Sequence, residues 1–328
     1  MNIIVDPKTG LKIGEFQPAL DPKKFQNPDV TATGAKRAQV YFKGLKTLWF
    51  CTGSLCNIEC INCYIDSSPT AEHFVFITPD DMEPYLDEIN ALGYGQIEIA
   101  FTGGEPYMNP HIIRLSQMAL ERGHSLLVLT NAMRPMMRPR VQAGLLDLQK
   151  RYGDKMTLRI SLDHYGQAQH DHERGLGSFA SALKGINWLS DSGFNLNIAG
   201  RTIWNESEAK SRRGYGGLIE QGGWPIDTAD PKQLVLFPEM DAHVDVPEIS
   251  ETCWGILGVS PDDIMCSNSR MVVRRKGAGR AAVLACTLLW DDDQFELGAS
   301  LKQARAPIKL NHPHCAKFCV LGGASCSA

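Results

Sequence analysis

Little in this chain is extreme, and each feature it lacks removes a class of explanation. No apolar run in its 328 residues approaches the roughly twenty needed to cross a bilayer. The opening Met1-Asn2-Ile3-Ile4-Val5-Asp6 has no basic stretch ahead of an apolar one, so no export signal is expected. No block of one charge sign occurs: 33 basic and 37 acidic residues are well mixed for a net charge of −4, which leaves no footprint for nucleic acid. Solenoid repeats and low-complexity tracts are missing too. The expectation is a cytoplasmic globular protein, 43% hydrophobic, with length for one large domain and a smaller one.

Cysteine is what the chain does have. Ten cysteines in a reducing compartment point to metal ligands or reactive thiols rather than disulfides. They fall into two groups, Cys51, Cys56, Cys60 and Cys63 near the front and Cys253, Cys266, Cys286, Cys315, Cys319 and Cys326 near the end. In the first group the spacing Cys56-x-x-x-Cys60-x-x-Cys63 puts three thiolates on one short loop. That is enough to hold three irons of a cubane iron–sulfur cluster and leave the fourth open for another ligand. A structural zinc site completed by Cys51 or a histidine is the alternative, and Cys51 itself reads as a buried strand residue.

Apolar runs rich in branched residues alternate with amphipathic helical stretches. The candidate strands are Thr47 to Cys51, Gln96 to Phe101, Ser125 to Thr130, Met156 to Leu162, Phe194 to Ile203 and Gln233 to Phe237. Met82, Tyr85, Leu86 and Ile89 share one helix face, with Pro84 blurring that helix's start; Phe179, Ala182, Leu183 and Ile186 share another behind a Ser178 cap. Six such repeats predict an α/β fold with parallel strands, either doubly wound or a complete or partial barrel, with its chemistry at the strand C-terminal ends. There lie the cysteine loop, Thr102-Gly103-Gly104-Glu105-Pro106, Asn131, Ser161 and Asp163.

Those residues carry a resemblance. The cysteine loop followed by Gly103-Gly104-Glu105-Pro106, then Ser161-Leu162-Asp163, His170-Asp171-His172-Glu173-Arg174-Gly175 and Gly177-Ser178-Phe179, resembles the radical S-adenosylmethionine (SAM) superfamily over most of residues 45 to 237. The resemblance implies a partial (βα)6 TIM-like barrel. It also implies a [4Fe–4S] cluster on Cys56, Cys60 and Cys63, with Gly103, Gly104 and Glu105 at the methionine amino end of SAM. Ser161 and Asp163 would lie near its ribose or carboxylate, and Arg201 is a further candidate for the carboxylate. Read without it, Gly103-Gly104 is a turn, Ser161 and Asp163 suit turn caps, Arg201 suits an ion pair, and His170 and His172 suggest a metal pair, whereas the resemblance implies that the two histidines belong to an ordered loop. One residue departs from the pattern: the position before the third cysteine is often aromatic in that family and here is Asn62. A Cβ at Gly103 or Gly104 is expected to obstruct a bound ligand.

After about residue 239 the pattern becomes irregular, with one hairpin signal: Met271-Val272-Val273 and Ala282-Val283-Leu284 around a basic tip that includes Arg274, Arg275 and Lys276. The expected organisation is an irregular arm over residues 1–38, a core domain over 39–238 and a cysteine-rich domain over 239–328. The last resembles the twitch or SPASM extensions of the same superfamily. That implies an auxiliary iron–sulfur cluster on Cys266, Cys286, Cys315 and Cys319, with Cys253 or Cys326 as substitutes and a zinc knot or free thiols as alternatives. The expected activity is reductive cleavage of SAM to a 5′-deoxyadenosyl radical that takes hydrogen from a small molecule or a peptide, the short arm favouring the small molecule. The reductant would be a low-potential donor such as flavodoxin or ferredoxin. A non-catalytic iron–sulfur electron carrier and a zinc-stabilised binding module are the rivals.

Overall fold

The structure is a computed structural model. It describes residues 18–238 and 241–323, together with the backbone of 3–5 and 12–15, so Cys326 lies outside the described residues. In chain order the strands are β1 (Ile3–Val5), β2 (Lys12–Glu15), β3 (Gln39–Val40), β4 (Thr47–Cys51), β5 (Glu98–Thr102), β6 (Ser125–Thr130), β7 (Met156–Ser161), β8 (Asn195–Arg201), β9 (Leu234–Phe237), β10 (Ser269–Val273), β11 (Ala282–Leu284) and β12 (Ile308–Lys309). The α-helices are α1 (Pro79–Ala91), α2 (Ile112–Glu121), α3 (Pro139–Tyr152), α4 (Gln167–Arg174), α5 (Ser178–Asp191), α6 (Glu208–Gly222) and α7 (Cys253–Leu257).

All six expected strands form. They pair in parallel in the order β4-β5-β6-β7-β8-β9, an open barrel wall whose helices return on one face. The expected hairpin also forms, as β10 and β11, but it joins the same sheet. Strand β10 pairs in parallel with β4, Met271 opposite Trp49, so a single eight-stranded sheet runs from β11 to β9. At its tip Arg274, Arg275 and Lys276 pair with Asp81, Glu296 and Glu72, the Lys276–Glu72 pair lying exposed to solvent.

The two-residue period of the strands explains this assembly. On β4, Leu48 and Phe50 point to the helix side, as do Ile99 and Phe101 on β5, where they meet Met82, Leu86 and Leu115. Trp49, Cys51, Ala100 and Leu127 point the other way, into a second core built with Met265, Leu284, Leu288, Phe295 and Phe318. The C-terminal region therefore fills the concave face of the barrel wall. Cys51, as its strand position suggested, is a buried member of this second core.

Local chemistry sets the helix starts. Thr78 and Asp81 form a reciprocal capping box at α1, and the helix runs on through Pro84. At α5 the cap is remote. Asp171 Oδ1 accepts from Phe179 N and from Ser178 Oγ, so Ser178 is the first helical residue rather than the cap. The segment holding His170 and His172 is the helix α4 rather than a loop. In the arm, β1 and β2 pair antiparallel, and residues 24–37 are strapped to 245–251 by Lys24–Asp245 and Arg37–Glu248 pairs.

Candidate functional site

The loop leaving β4 crosses the C-terminal ends of the neighbouring strands and is tied to three of them. At its start, Gly104 N donates to Gly53 O (2.8 Å) and Glu105 N to Leu55 O (3.2 Å). A Cβ on Gly103 would strike the Gly53 carbonyl oxygen, and one on Gly104 the Leu55 carbonyl oxygen; Gly103 also sits at φ 130°. The glycines are thus needed for the turn after β5 to dock against the cysteine loop. Further along, Asn131 Nδ2 donates to Asn57 Oδ1 (2.9 Å) and approaches Cys56 Sγ (4.0 Å) from the end of β6.

The far end of the loop is pinned by α4. Ile61 N donates to Glu173 O (3.0 Å), and both Asn62 N and Asn62 Nδ2 donate to the Glu173 carboxylate (2.9 Å each). Arg201 Nη1, from the end of β8, completes the knot by donating to Glu173 Oε1 (2.8 Å) and to Asn62 O (3.1 Å). Asn62, in the position where an aromatic ring is common, is therefore a clamp residue. Next to it Asp163 takes both Nε and Nη2 of Arg174 (2.7 and 2.9 Å). Burial works against the Asp163 charge, but the Arg174 guanidinium holds the carboxyl below its ordinary range.

One cavity results. Cys56, Cys60 and Cys63 line it with Gly103, Gly104, Ser161, Asp163 and Arg201, while Phe237, Leu288 and Phe318 close it from β9 and the C-terminal region. Burial pushes the Cys56 thiol up to about 12 and Cys60 up to about 11. Without a metal these sulfurs hold their protons, and a metal must displace them. Cys63 Sγ accepts a hydrogen bond from Ser67 N (3.3 Å). Among the described residues, no three Cys, His, Asp or Glu side chains converge as a single-ion site.

Glu105 is the candidate that does not line the cavity. Its carboxylate turns into the protein, where it accepts from Thr130 Oγ1 (2.8 Å), Asn131 N (2.8 Å) and Tyr107 N (3.2 Å), and burial raises its pKa to about 7. It braces the turn after β5 against the end of β6. Glu173 and Arg174 were visible in the sequence only as part of a resembling segment, and Tyr64, whose hydroxyl meets Thr102 Oγ1 (3.2 Å), carried no signal at all.

The C-terminal cysteines come from separate places: Cys266 on the turn before β10, Cys286 just after β11, and Cys315 and Cys319 on a single π-turn, Cys315–Val320. Cys266, Cys286 and Cys315 are buried and near enough to perturb one another's charge, and burial drives Cys266 up to about 12. Arg270, buried beside Cys266 and Cys286, donates to the Cys266, Ser269 and Ala304 carbonyls.

A three-thiol loop beside a glycine turn, at the strand C-terminal ends of an open parallel barrel wall, defines a protein class. Residues 51–211 match the model of the radical SAM superfamily, so the chain contains a radical SAM domain. The cofactors of that superfamily are a [4Fe–4S] cluster and SAM. Among individual proteins, the chain is 31% identical over 205 residues to the antilisterial bacteriocin subtilosin biosynthesis protein AlbA of Bacillus subtilis, covering 58% of this chain and 44% of that one. Its fold is like that of Streptococcus suis SuiB bound to precursor peptide SuiA (TM-score 0.57, 10% identity, 79% of this chain and 63% of that one). It is also like that of native anSMEcpe with bound AdoMet (TM-score 0.55, 15% identity, 79% of each chain). The match spans less than half the length of AlbA. No helix among the described residues is long and apolar enough to cross a membrane.

Proposed function

We propose that this protein is a radical SAM enzyme that modifies a peptide, with Cys56, Cys60 and Cys63 as the ligands of its [4Fe–4S] cluster. The observation that carries the reading is the convergence of these three thiols with Gly103, Gly104, Ser161, Asp163 and Arg201 on one cavity. The donor set suits the cluster: three thiols on one loop, and an N–H aimed at the Cys63 sulfur, the kind of hydrogen bond that tunes such centres. Bound together, cluster and SAM supply one-electron cleavage of the sulfonium to a 5′-deoxyadenosyl radical able to take a hydrogen atom from substrate.

The chain's own residues hold and enclose. The backbone at Gly103 and Gly104, which lines the cavity, receives the methionine end of SAM, and Ser161 offers a hydroxyl to its polar groups. Asp163 and Arg201 already have ion-pair partners, so they act chiefly by fixing the cavity wall and the loop. Phe237, Leu288 and Phe318 keep water from the reacting atoms. A peptide substrate is supported by the likeness to AlbA, a bacteriocin biosynthesis protein, and to SuiB, whose structure holds a precursor peptide.

An auxiliary cluster on Cys266, Cys286, Cys315 and Cys319 belongs to the same proposal. Cys266, Cys286 and Cys315 are buried and near enough to influence one another's charge, and Arg270 beside Cys266 and Cys286 offers a compensating charge. The test is anaerobic reconstitution followed by dithionite and SAM. Release of 5′-deoxyadenosine and methionine is expected, and an iron-loaded protein that releases neither would be an electron carrier instead.

A further inference from the structure

Arg174 is the last residue of α4, where a cation ordinarily reaches back to the helix's free carbonyls or out to water. Here the side chain is instead turned inward. It is 15% exposed and lines the cavity together with Cys56, Cys60 and Cys63. Its partner Asp163, 4% exposed, takes Nε and Nη2 (2.7 and 2.9 Å) and lines the same wall.

The end of α4 is also bonded directly to the cysteine loop. Glu173 O accepts from Ile61 N (3.0 Å), so Arg174 and Cys60 each lie one residue from the same backbone hydrogen bond. Of the charges around Cys60, that of Arg174 bears on it most and favours the thiolate, while the carboxylates of Asp163 and Glu173 oppose it. Arg201, the other cation of the wall, is engaged by Glu173 and by the Asn62 carbonyl, and is not among the main charges acting on Cys60.

We propose that Arg174 is the fixed positive charge that sets the reduction potential of the cluster on Cys56, Cys60 and Cys63, with Asp163 trimming its effect. The proposal rests on the cluster assignment above. Three thiolates around an iron–sulfur core leave the centre negatively charged, and reduction adds one electron to it. A cation held beside one of the ligand sulfurs stabilises the reduced form more than the oxidised form and so raises the potential; an anion at the same wall lowers it. The low polarity of a closed cavity keeps both effects from being screened. No bond or proton moves in this device. If Arg174 served only to neutralise Asp163, the two residues would have no separate and opposite effects on the centre.

The test is a redox titration of the reconstituted holoprotein, followed by the electron paramagnetic resonance signal that responds to SAM, for wild type, Arg174→Gln and Asp163→Asn. It is run at about pH 8, well above the usual carboxylate range, so that Asp163 keeps its charge in Arg174→Gln. Arg174→Gln should lower the reduced fraction at a fixed poise about tenfold, a shift of about 59 mV to lower potential for one electron. Asp163→Asn should shift the midpoint the other way, and Arg174→Lys, which keeps the charge, should stay close to wild type. An unmoved or raised midpoint in Arg174→Gln, or a lowered one in Asp163→Asn, overturns the proposal. Loss of the cluster from both neutral variants makes the pair a structural tie and overturns it as well. A wild-type signal that does not respond to SAM removes the cluster assignment itself, whereas a responsive wild type with unmoved variants removes this inference alone.

Discussion

The two groups of thiols in this protein are assembled in opposite ways. Cys56, Cys60 and Cys63 are held together by one loop, and the fold around them only clamps what the covalent spacing already brings close. Cys266, Cys286 and Cys315 are held together by nothing local: each arrives on a different element, and they meet because β10 adds to β4 and the C-terminal segment fills the concave face. A set of thiols written into one loop survives small shifts of the scaffold. A set gathered from three elements exists only while the long-range packing does.

The sharpest test of this contrast is a pair of substitutions. Cys60→Ala should abolish SAM cleavage, a loss of at least about a thousandfold in 5′-deoxyadenosine release, since two thiols cannot hold the cubane. Cys266→Ala should lower bound iron by about four per chain while leaving slow, substrate-free SAM cleavage in place. Turnover retained in Cys60→Ala would contradict the ligand assignment. Unchanged iron and sulfide in Cys266→Ala would remove the auxiliary cluster.

Gly104→Ala attacks the loop from its neighbour. The added methyl meets the Leu55 carbonyl, a backbone atom that cannot rotate away, so the turn after β5 must separate from the cysteine loop. Overpacking of this kind costs about 2–3 kcal/mol. Denaturant unfolding should register that loss, and the affinity for SAM should fall with it. A variant as stable as the wild type would mean that the loop is not seated on this turn.

How much of this could be read from the sequence follows the same division. The six strands, the hairpin and the front cysteine loop were legible because each is a local pattern: a period of two, a turn signal, a short spacing. That β10 would extend the barrel wall was not, since strand pairing across more than two hundred residues leaves no mark in either segment. Asn62 looked like a defect in a motif, and its partner Glu173 explains it only in three dimensions. Glu105 shows the converse: its place in the chain suggested ligand contact, yet its carboxylate braces the turn from behind.

The C-terminal thiols should depend on ties made by the N-terminal arm. Glu248 is one of them, accepting from Arg37 Nη2 (2.6 Å), Phe25 N (2.7 Å) and Ala32 N (2.6 Å), while Arg37 also donates to Leu310 O beside β12 (3.4 Å). Burial favours the neutral acid, but these donors outweigh it and hold the Glu248 carboxyl below its usual value. A group lowered in this way stabilises the fold fully above its unfolded pKa of about 4.3, and loses that contribution as pH falls through the lower folded value. Glu248→Gln should therefore cost about 2 kcal/mol at neutral pH, with the gap from wild type closing in acid. A gap that widened in acid would show that the carboxylate is not the stabilising form.

The smallest expected effect lies where the two groups of thiols are joined. Trp290, from the C-terminal region, donates Nε1–H to the carbonyl of Tyr64 (2.8 Å), the residue after Cys63, and stacks on His73 (4.5 Å between ring centres). Trp290→Phe keeps an aromatic body in place and deletes this one hydrogen bond, for about 1 kcal/mol. If the C-terminal region steadies the front loop through this contact, amide exchange at Asp66 and Ser67 should quicken several-fold while the strands stay protected and the unfolding midpoint barely moves. Exchange that quickened equally throughout the protein would assign Trp290 to general packing. The front loop would then owe its order to α4 and the ends of β5, β6 and β8.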